Sequence, residues 1–409
     1  MARRRLRSLT VEGLTSIRSA TVELGDVNVL IGANGAGKSN FVSALAMLGR
    51  IADGDLGLFV GLNGGASGLL HQGPDSAAEI RLRAAIGPHG RQDPSACRDQ
   101  GFTYKAALTE ARDDRLIFSG EEITRPADSE HPLRVKGGHG ESVLSEAPDP
   151  AVASSDVEAL TAIADVLRGC RVFHFHDTGL NAPMKRIGYA SDNLTLHPDA
   201  GNLAAPLMRL RDSEPRAYRR ILRDIRKVAP FLRDFVLVER NEQLQLRWKQ
   251  VDSDTVFPAG ALSDGTLRFI CLATLLGMPT PPSIIVLDEP ELGLHPYAIV
   301  QLADMLRAAG TSSQIVIATQ STTLVDQFAL DELVIVERER GAPSSAVRPP
   351  VPCVCGWTTT PWANCGRRTC SAAVPVRSEG DRAQAPHPLR GPDRGTAHRG
   401  HPRPVLHHP

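Results

Sequence analysis

The chain has 409 residues, 46 basic against 46 acidic side chains, and 42% apolar residues, enough for one large or two modest cores. Its longest uncharged apolar run, around Phe269–Met278, is far too short to span a bilayer. The basic start runs into Thr10-Val-Glu rather than an apolar stretch, so neither a membrane span nor a signal peptide is predicted, and the cytoplasm is the expected location.

The zero net charge conceals a division. Residues 341–409 hold 9 Arg, 3 acidic residues and no Lys, leaving 37 basic and 43 acidic groups, a net of −6, in the rest. Only 6 of the 46 basic residues are Lys, so each Lys stands out. At the N-terminus, Arg3, Arg4, Arg5 and Arg7 read as a solvated start, with phosphate contact as the alternative; the acidic body gives constitutive DNA binding little support.

Val27–Ile31 reads as a buried strand. It leads into Gly32-Ala-Asn-Gly-Ala-Gly-Lys-Ser39, a full match to the P-loop pattern, and Phe41, Leu45 and Leu48 then fall at helical spacing. Strand, glycine loop and helix N-terminus are what a phosphate cradle requires, because glycines turn backbone N–H groups inward and the helix end adds partial positive charge. Candidate nucleotide contacts are Gly32, Ala33, Asn34, Gly35, Ala36, Gly37, Lys38, Ser39 and Asn40. Lys38 is expected at the β- and γ-phosphates, and the Ser39 hydroxyl on Mg²⁺.

The stretch of about 80–255 carries helical periodicity at Ala151–Leu167 and Ala200–Val228, without sustained heptads. Residues 120–150 are polar and broken by Gly and Pro, which predicts a surface loop or disorder. Phe235–Glu239 and Gln243–Trp248 alternate like a hairpin around Arg240-Asn-Glu. In His174-Phe-His-Asp177 the two imidazoles would share a strand face and could bind metal with Asp177; the plainer reading packs Phe173 and Phe175 inward.

Leu262-Ser-Asp-Gly-Thr-Leu-Arg-Phe269 resembles the signature motif of ABC-type ATPases, with Asp264 where transporter subunits usually carry Gly, although Ser-Asp-Gly alone is an ordinary helix cap. Ser283–Leu287 is a short apolar strand ending in Asp288-Glu289, a Walker B element: Asp288 to support the metal, Glu289 to deprotonate the attacking water. His295 should cap the next helix and Pro296 suits its first position. Gln314–Ala318 is another buried strand, and Gln320 stands just after it, where an ABC-type site usually places His. Its amide can contact a γ-phosphate but cannot carry a proton as His can.

This ordered set, with Asp288-Glu-Pro-Glu-Leu-Gly-Leu-His-Pro296 as its most specific string, resembles the RecF/SMC-like branch of ABC ATPases, and within it the stand-alone bacterial ATPases labelled AAA family. Leu6–Ile17 and Ala20–Leu24 look like the two strands that precede the P-loop there. The resemblance implies an α/β fold, a P-loop NTPase of the ABC/RecF type over residues 1–340, whose mixed sheet core has N-terminal antiparallel strands and a helical insertion subdomain at about 80–255. It also implies a head-to-tail homodimer that sandwiches two ATP, each touched by the P-loop of one subunit and by Ser263 and Gly265 of the other.

Residues 341–409 hold 12 of 30 prolines and 4 of 7 cysteines, in spacings that fit no common zinc knuckle. A one-base shift of frame from Cys353 to Pro375 permits an acidic, aromatic, well-patterned segment, so the expectation is a frameshifted, disordered tail.

The resulting expectation is an ATPase with catalytic Glu289, Lys38 and Gln320, with ATP and Mg²⁺ as cofactors and Ser39 and Asp288 as metal ligands, possible in DNA repair or defence. The alternatives are an ATP-gated dimerisation module with little turnover, or the ATPase subunit of a nuclease system; DNA or an effector protein is the candidate partner.

Overall fold

The computed structural model describes residues 4–71, 79–88, 101–125, 128–145, 154–338 and 344–347. The chain opens with β1 (Arg4–Leu14), β2 (Ile17–Glu23) and β3 (Val27–Ile31), then α1 (Lys38–Asp53), α2 (Leu56–Leu62) and α3 (Gly65–Leu69). Four strands follow: β4 (Glu79–Pro88), β5 (Phe102–Ala111), β6 (Arg115–Arg125) and β7 (Asp128–Lys136). The middle holds α4 (Ser154–Leu167), β8 (Cys170–Phe173), β9 (Gly188–Tyr189), α5 (Ala204–Ser213), α6 (Pro215–Val228), β10 (Leu232–Phe235), β11 (Gln243–Leu244), β12 (Arg247–Gln250) and β13 (Val256–Pro258). The last part runs α7 (Asp264–Gly277), β14 (Ile284–Asp288), α8 (Pro296–Gly310), β15 (Gln314–Thr319), α9 (Thr322–Val325), β16 (Leu333–Arg338) and β17 (Ser344–Val347).

Two six-stranded sheets organise these elements. One is antiparallel, in the order β2-β1-β4-β5-β6-β7; the other runs β17-β16-β3-β15-β14-β8 and is parallel except for β17. The parallel strands are buried on both faces, which is why their sequences are continuous apolar runs rather than alternating ones. Val29, Ile285, Leu287, Ile315 and Ile317 point into a core shared with α5–α8. Leu30, Ile284, Val286, Val316 and Ala318 point the other way, into a core shared with α1, α4 and the antiparallel sheet. Helix α1 touches β8, β14 and β15 on one side and β1 on the other, so the P-loop helix lies between the sheets. In β1 the register with β4 shifts between Leu6 and Ser8; this irregularity lets Leu6 and Leu9, three apart, both face inward. Among the described residues no helix is long and apolar enough to cross a membrane.

The mixed α/β architecture agrees with expectation, but three local readings need correction. Arg3 lies outside the described residues, but Arg4, Arg5 and Arg7 are not a solvated tail. Arg5 is buried, with Nη1 donating to Asp26 Oδ1 at 2.6 Å and Nη2 to the Gly310 carbonyl at 2.8 Å, while Arg4 pairs with Glu158 and Arg7 donates to the Pro88 carbonyl. Much of the expected loop at 120–150 is strand: β6 pairs with β5 on one side and with β7 on the other, and its Leu116, Phe118, Glu121 and Ile123 are buried. The expected hairpin is present: Arg240 and Gln243 exchange backbone hydrogen bonds around Asn241-Glu242, Val236 N donates to the Arg247 carbonyl and Phe235 stands opposite Trp248, while β11 also pairs with β9. Finally, β17 adds an antiparallel edge strand to β16 inside the range expected to be disordered; residues 348–409 lie outside the described ones.

Candidate functional site

Three parallel strands, β3, β15 and β14, are neighbours, and each ends in residues that the sequence singles out. After β3 the loop Gly32–Gly37 turns into α1. Gly37 caps that helix with φ 112°, a left-handed conformation that a side chain rarely adopts, and α1 begins at Lys38. At Gly32 a Cβ would fall 2.2 Å from the Val336 carbonyl, so the loop can lie against β16 only because this residue is Gly. The Lys38 ammonium donates to the carbonyls of Gly32 (2.7 Å) and Ala33 (3.1 Å). Burial pulls the Lys38 pKa down, opposed by the charges of Glu289 and Asp288. Asn40 fastens the helix start to the β1–β2 turn by donating to Ser16 Oγ at 2.5 Å.

On β14, Asp288 lies beside the Ser39 side chain, which favours its charged form and brings the two expected metal ligands together. Burial raises the Asp288 pKa; His174 and His176 lower it and Glu289 raises it further. Hydroxyl and carboxylate oxygens are the donor set that Mg²⁺ prefers, and a divalent cation would reverse the cost of that buried charge.

Glu289 follows with φ 45°, a left-handed backbone in a residue other than Gly. Its N–H donates to the Ala318 carbonyl at 2.8 Å, which holds the strained residue against β15. From the end of β15, Gln320 Nε2 donates to Glu289 Oε1 at 2.5 Å. The residue in the expected switch position is therefore tied to the candidate base. Lys38, Ser39, Asp288, Glu289 and Gln320 thus converge on one end of the parallel sheet.

Ser263 and Gly265 form a separate feature. Ser263 caps α7, its Oγ accepting from Thr266 N at 3.3 Å, and it is exposed. A Cβ on Gly265 would fall 2.5 Å from the Gly293 carbonyl, so α7 starts directly against the turn that follows β14. Among the described residues neither residue hydrogen-bonds the P-loop of its own chain. His295 caps α8 as expected, its Nδ1 accepting from Tyr297 N at 3.3 Å, with Pro296 in the first turn.

Several residues at this end escaped the sequence reading. Glu291 is buried, accepts a hydrogen bond from Thr319 Oγ1, and leaves its Oε2 without a partner. Burial raises its pKa, and Thr319 opposes that. Arg268 is buried on α7 and donates to the carbonyls of Phe175 (2.9 Å), His176 (3.0 Å) and Leu292. A charge inside the apolar run Leu267–Leu272 was the available signal. The metal reading of His174 and His176 fails among the described residues, which contain no group of three candidate ligands. The plainer reading holds: Phe173 and Phe175 are buried, Asp177 accepts from Gly179 N, and His176 Nε2 lies 2.8 Å from the Asp288 carbonyl. Partial desolvation lowers the His174 pKa, against the pull of Asp288.

Comparison with known proteins bears on this arrangement. The fold is similar to an Smc head bound to the C-winged helix domain of ScpA, at 15% identity and TM-score 0.57, covering 85% of this chain and 98% of that one. A second Smc head domain, with an extended coiled coil, bound to the C-terminal domain of ScpA and derived from Pyrococcus furiosus, matches at 14% identity and TM-score 0.52, over 90% and 99% of the two chains. A "Putative ABC transporter ATP-binding protein" of Methanosarcina acetivorans is 36% identical over 80 residues, a region that spans 19% of this chain and 28% of that protein. Residues 27–326 match the family described as "AAA domain, putative AbiEii toxin, Type IV TA system", and with most of its length inside that match the chain belongs to this family of P-loop ATPase domains.

Proposed function

We propose that this chain hydrolyses ATP to ADP and phosphate as a Mg²⁺-dependent, nucleotide-sandwich homodimer. The observation that carries the reading is the meeting of Lys38, Ser39, Asp288 and Glu289 at the ends of β3 and β14, on either side of β15. The loop amides and Lys38 bind the phosphates, and Ser39 and Asp288 hold the cation. Mg²⁺, when bound there, neutralises charge on the β- and γ-phosphate oxygens. Glu289 accepts the proton of the attacking water, and Gln320, through its amide, orients the Glu289 carboxylate or contacts the γ-phosphate. Ser263 and Gly265 serve the nucleotide of a second subunit; the exposure of Ser263 and the lack of a bond from either residue to the P-loop of their own chain support this. The dimer works in the cytoplasm, in DNA repair or defence, with DNA or an effector protein as client.

The test is Glu289→Gln, which keeps ATP binding and blocks proton transfer. Light scattering should show the molar mass doubling on addition of Mg-ATP, and the unsubstituted chain should release phosphate. A mass that stays monomeric while ATP binds rejects the dimer. ATP-dependent doubling with no phosphate release by the unsubstituted chain favours a gated binding module instead.

A further inference from the structure

Arg268 sits one turn into α7, the helix whose first residues carry the exposed Ser263–Gly265 motif. It is only 6% exposed, and no ion pair to a carboxylate is formed among the described residues. Its guanidinium instead grips two chain segments on the way to the other half of the site. Nε and Nη2 donate to Phe175 and His176, just past the end of β8, and Nη1 donates to Leu292, in the turn after β14. That turn is packed so closely that a Cβ on Gly293 would fall 2.4 Å from Nη1. The His176 ring then reaches the backbone carbonyl of Asp288 at 2.8 Å. A planar fork is the side chain that can hold two separate segments at once; an ammonium is a point charge and cannot.

We propose that Arg268, acting through His176 and the Leu292 turn, is a positioning residue that ties the signature end of α7 to the Asp288–Glu289 end of β14. The inference rests on the ATPase reading and deepens it. The motif offered to the partner's nucleotide and the groups serving the chain's own nucleotide then move as one unit. Hydrolysis at one site is in this way linked to engagement at the other.

The experiment uses the full chain and two readouts: affinity for a fluorescent ATP analogue, and steady-state phosphate release. Arg268→Met should lower kcat by about tenfold or more while the affinity changes by less than about twofold, because a misplaced catalytic group costs rate rather than uniform binding. Arg268→Lys should fall between the two chains. His176→Ala, at an exposed ring, should also lower kcat, and the double variant should be no slower than the slower single variant, as expected of residues acting as a unit. Wild-type kcat in a folded Arg268→Met chain overturns the proposal, as do losses that multiply in the double variant. If Arg268→Met does not fold, Arg268→Lys and His176→Ala decide, and unchanged kcat in both overturns it. An unsubstituted chain that binds no analogue overturns the ATPase reading, and this inference falls with it; an active unsubstituted chain with indifferent variants overturns this inference alone.

Discussion

The molecule buries acids in two places and treats them differently. In the antiparallel sheet, Glu121 is almost fully enclosed, yet both of its oxygens are served. Tyr104 and Ser142 donate to Oε1 at 2.5 Å each, the Val143 N–H donates to Oε2 at 3.1 Å, and His139 Nε2 lies 2.8 Å from Oε2. At the end of the parallel sheet, by contrast, Asp288 is half-buried and Glu291 buried, both with raised pKa values, Glu291 keeps an orphan oxygen, and Glu289 sits on strained backbone. A satisfied buried acid stabilises the fold and fixes a loop, whereas under-partnered acids gathered at strand ends are held for a ligand. On the proposed ATPase reading, buried acids do structural work on one sheet and chemical work on the other.

The sharpest way to break this contrast is to exchange the readouts. Glu289→Gln should lower phosphate release by about a thousandfold, the range for losing a positioned base, and leave the melting temperature nearly unchanged. Single-turnover phosphate release and differential scanning fluorimetry check the two halves. Glu121→Ala should do the opposite. It strands the Tyr104 and Ser142 hydroxyls and the Val143 N–H, at a cost of about 3 kcal/mol. The rate per folded molecule should stay as it was. A Glu121→Ala chain that is stable but slow would refute the division.

Gln320 offers a smaller test on the chemical side. Its contact with Glu289 predicts that Gln320→Ala frees the carboxylate and lowers kcat by about tenfold, with ATP affinity retained. Gln320→His replaces the amide with the group that ABC-type sites usually carry there, and recovery of rate would show that position and hydrogen bonding matter more than residue type. A kcat unmoved by either substitution means that the Gln320–Glu289 contact has no part in turnover.

The nucleotide end was legible because its requirements are local and chemical: a glycine loop, a following Lys-Ser, and carboxylates after an apolar strand all lie within short strings. The parallel strands were equally plain, since burial on both faces makes their runs continuous. Strands β6 and β7 were not. Glu121 is an acid buried among the inward residues of β6, and Glu122 meets Arg134 across to β7, so charges within the pattern diluted the alternation until it read as loop. Arg5 misled for a related reason, because a cation that fills a carbonyl-lined gap between β1 and the end of α8 is invisible until both are in place. Arg268 and Glu291 lie inside the signature-like and Walker B strings, but they bond to the segment just past β8 and to β15, and no short string contains such pairs.

Glu291 gives the finest distinction between the two kinds of acid. Its carboxyl faces the Thr319 hydroxyl and the Gln320 N–H, which favour charge, and Glu289, which opposes it together with burial. Because the folded-state pKa is raised, the folded chain holds this proton more tightly than the unfolded chain does. The favourable contribution is therefore complete below the ordinary value of 4.5 and shrinks as pH climbs from there through the folded-state pKa. Glu291→Gln resembles the protonated form at every pH. Its melting temperature should match that of the parent chain near pH 4.5 and exceed it increasingly toward pH 8, by a margin of the order of 1 kcal/mol, the cost of one unmade bond on a buried oxygen. Equal melting curves across that range would place Glu291 with Glu121, as an acid whose environment has already met its needs.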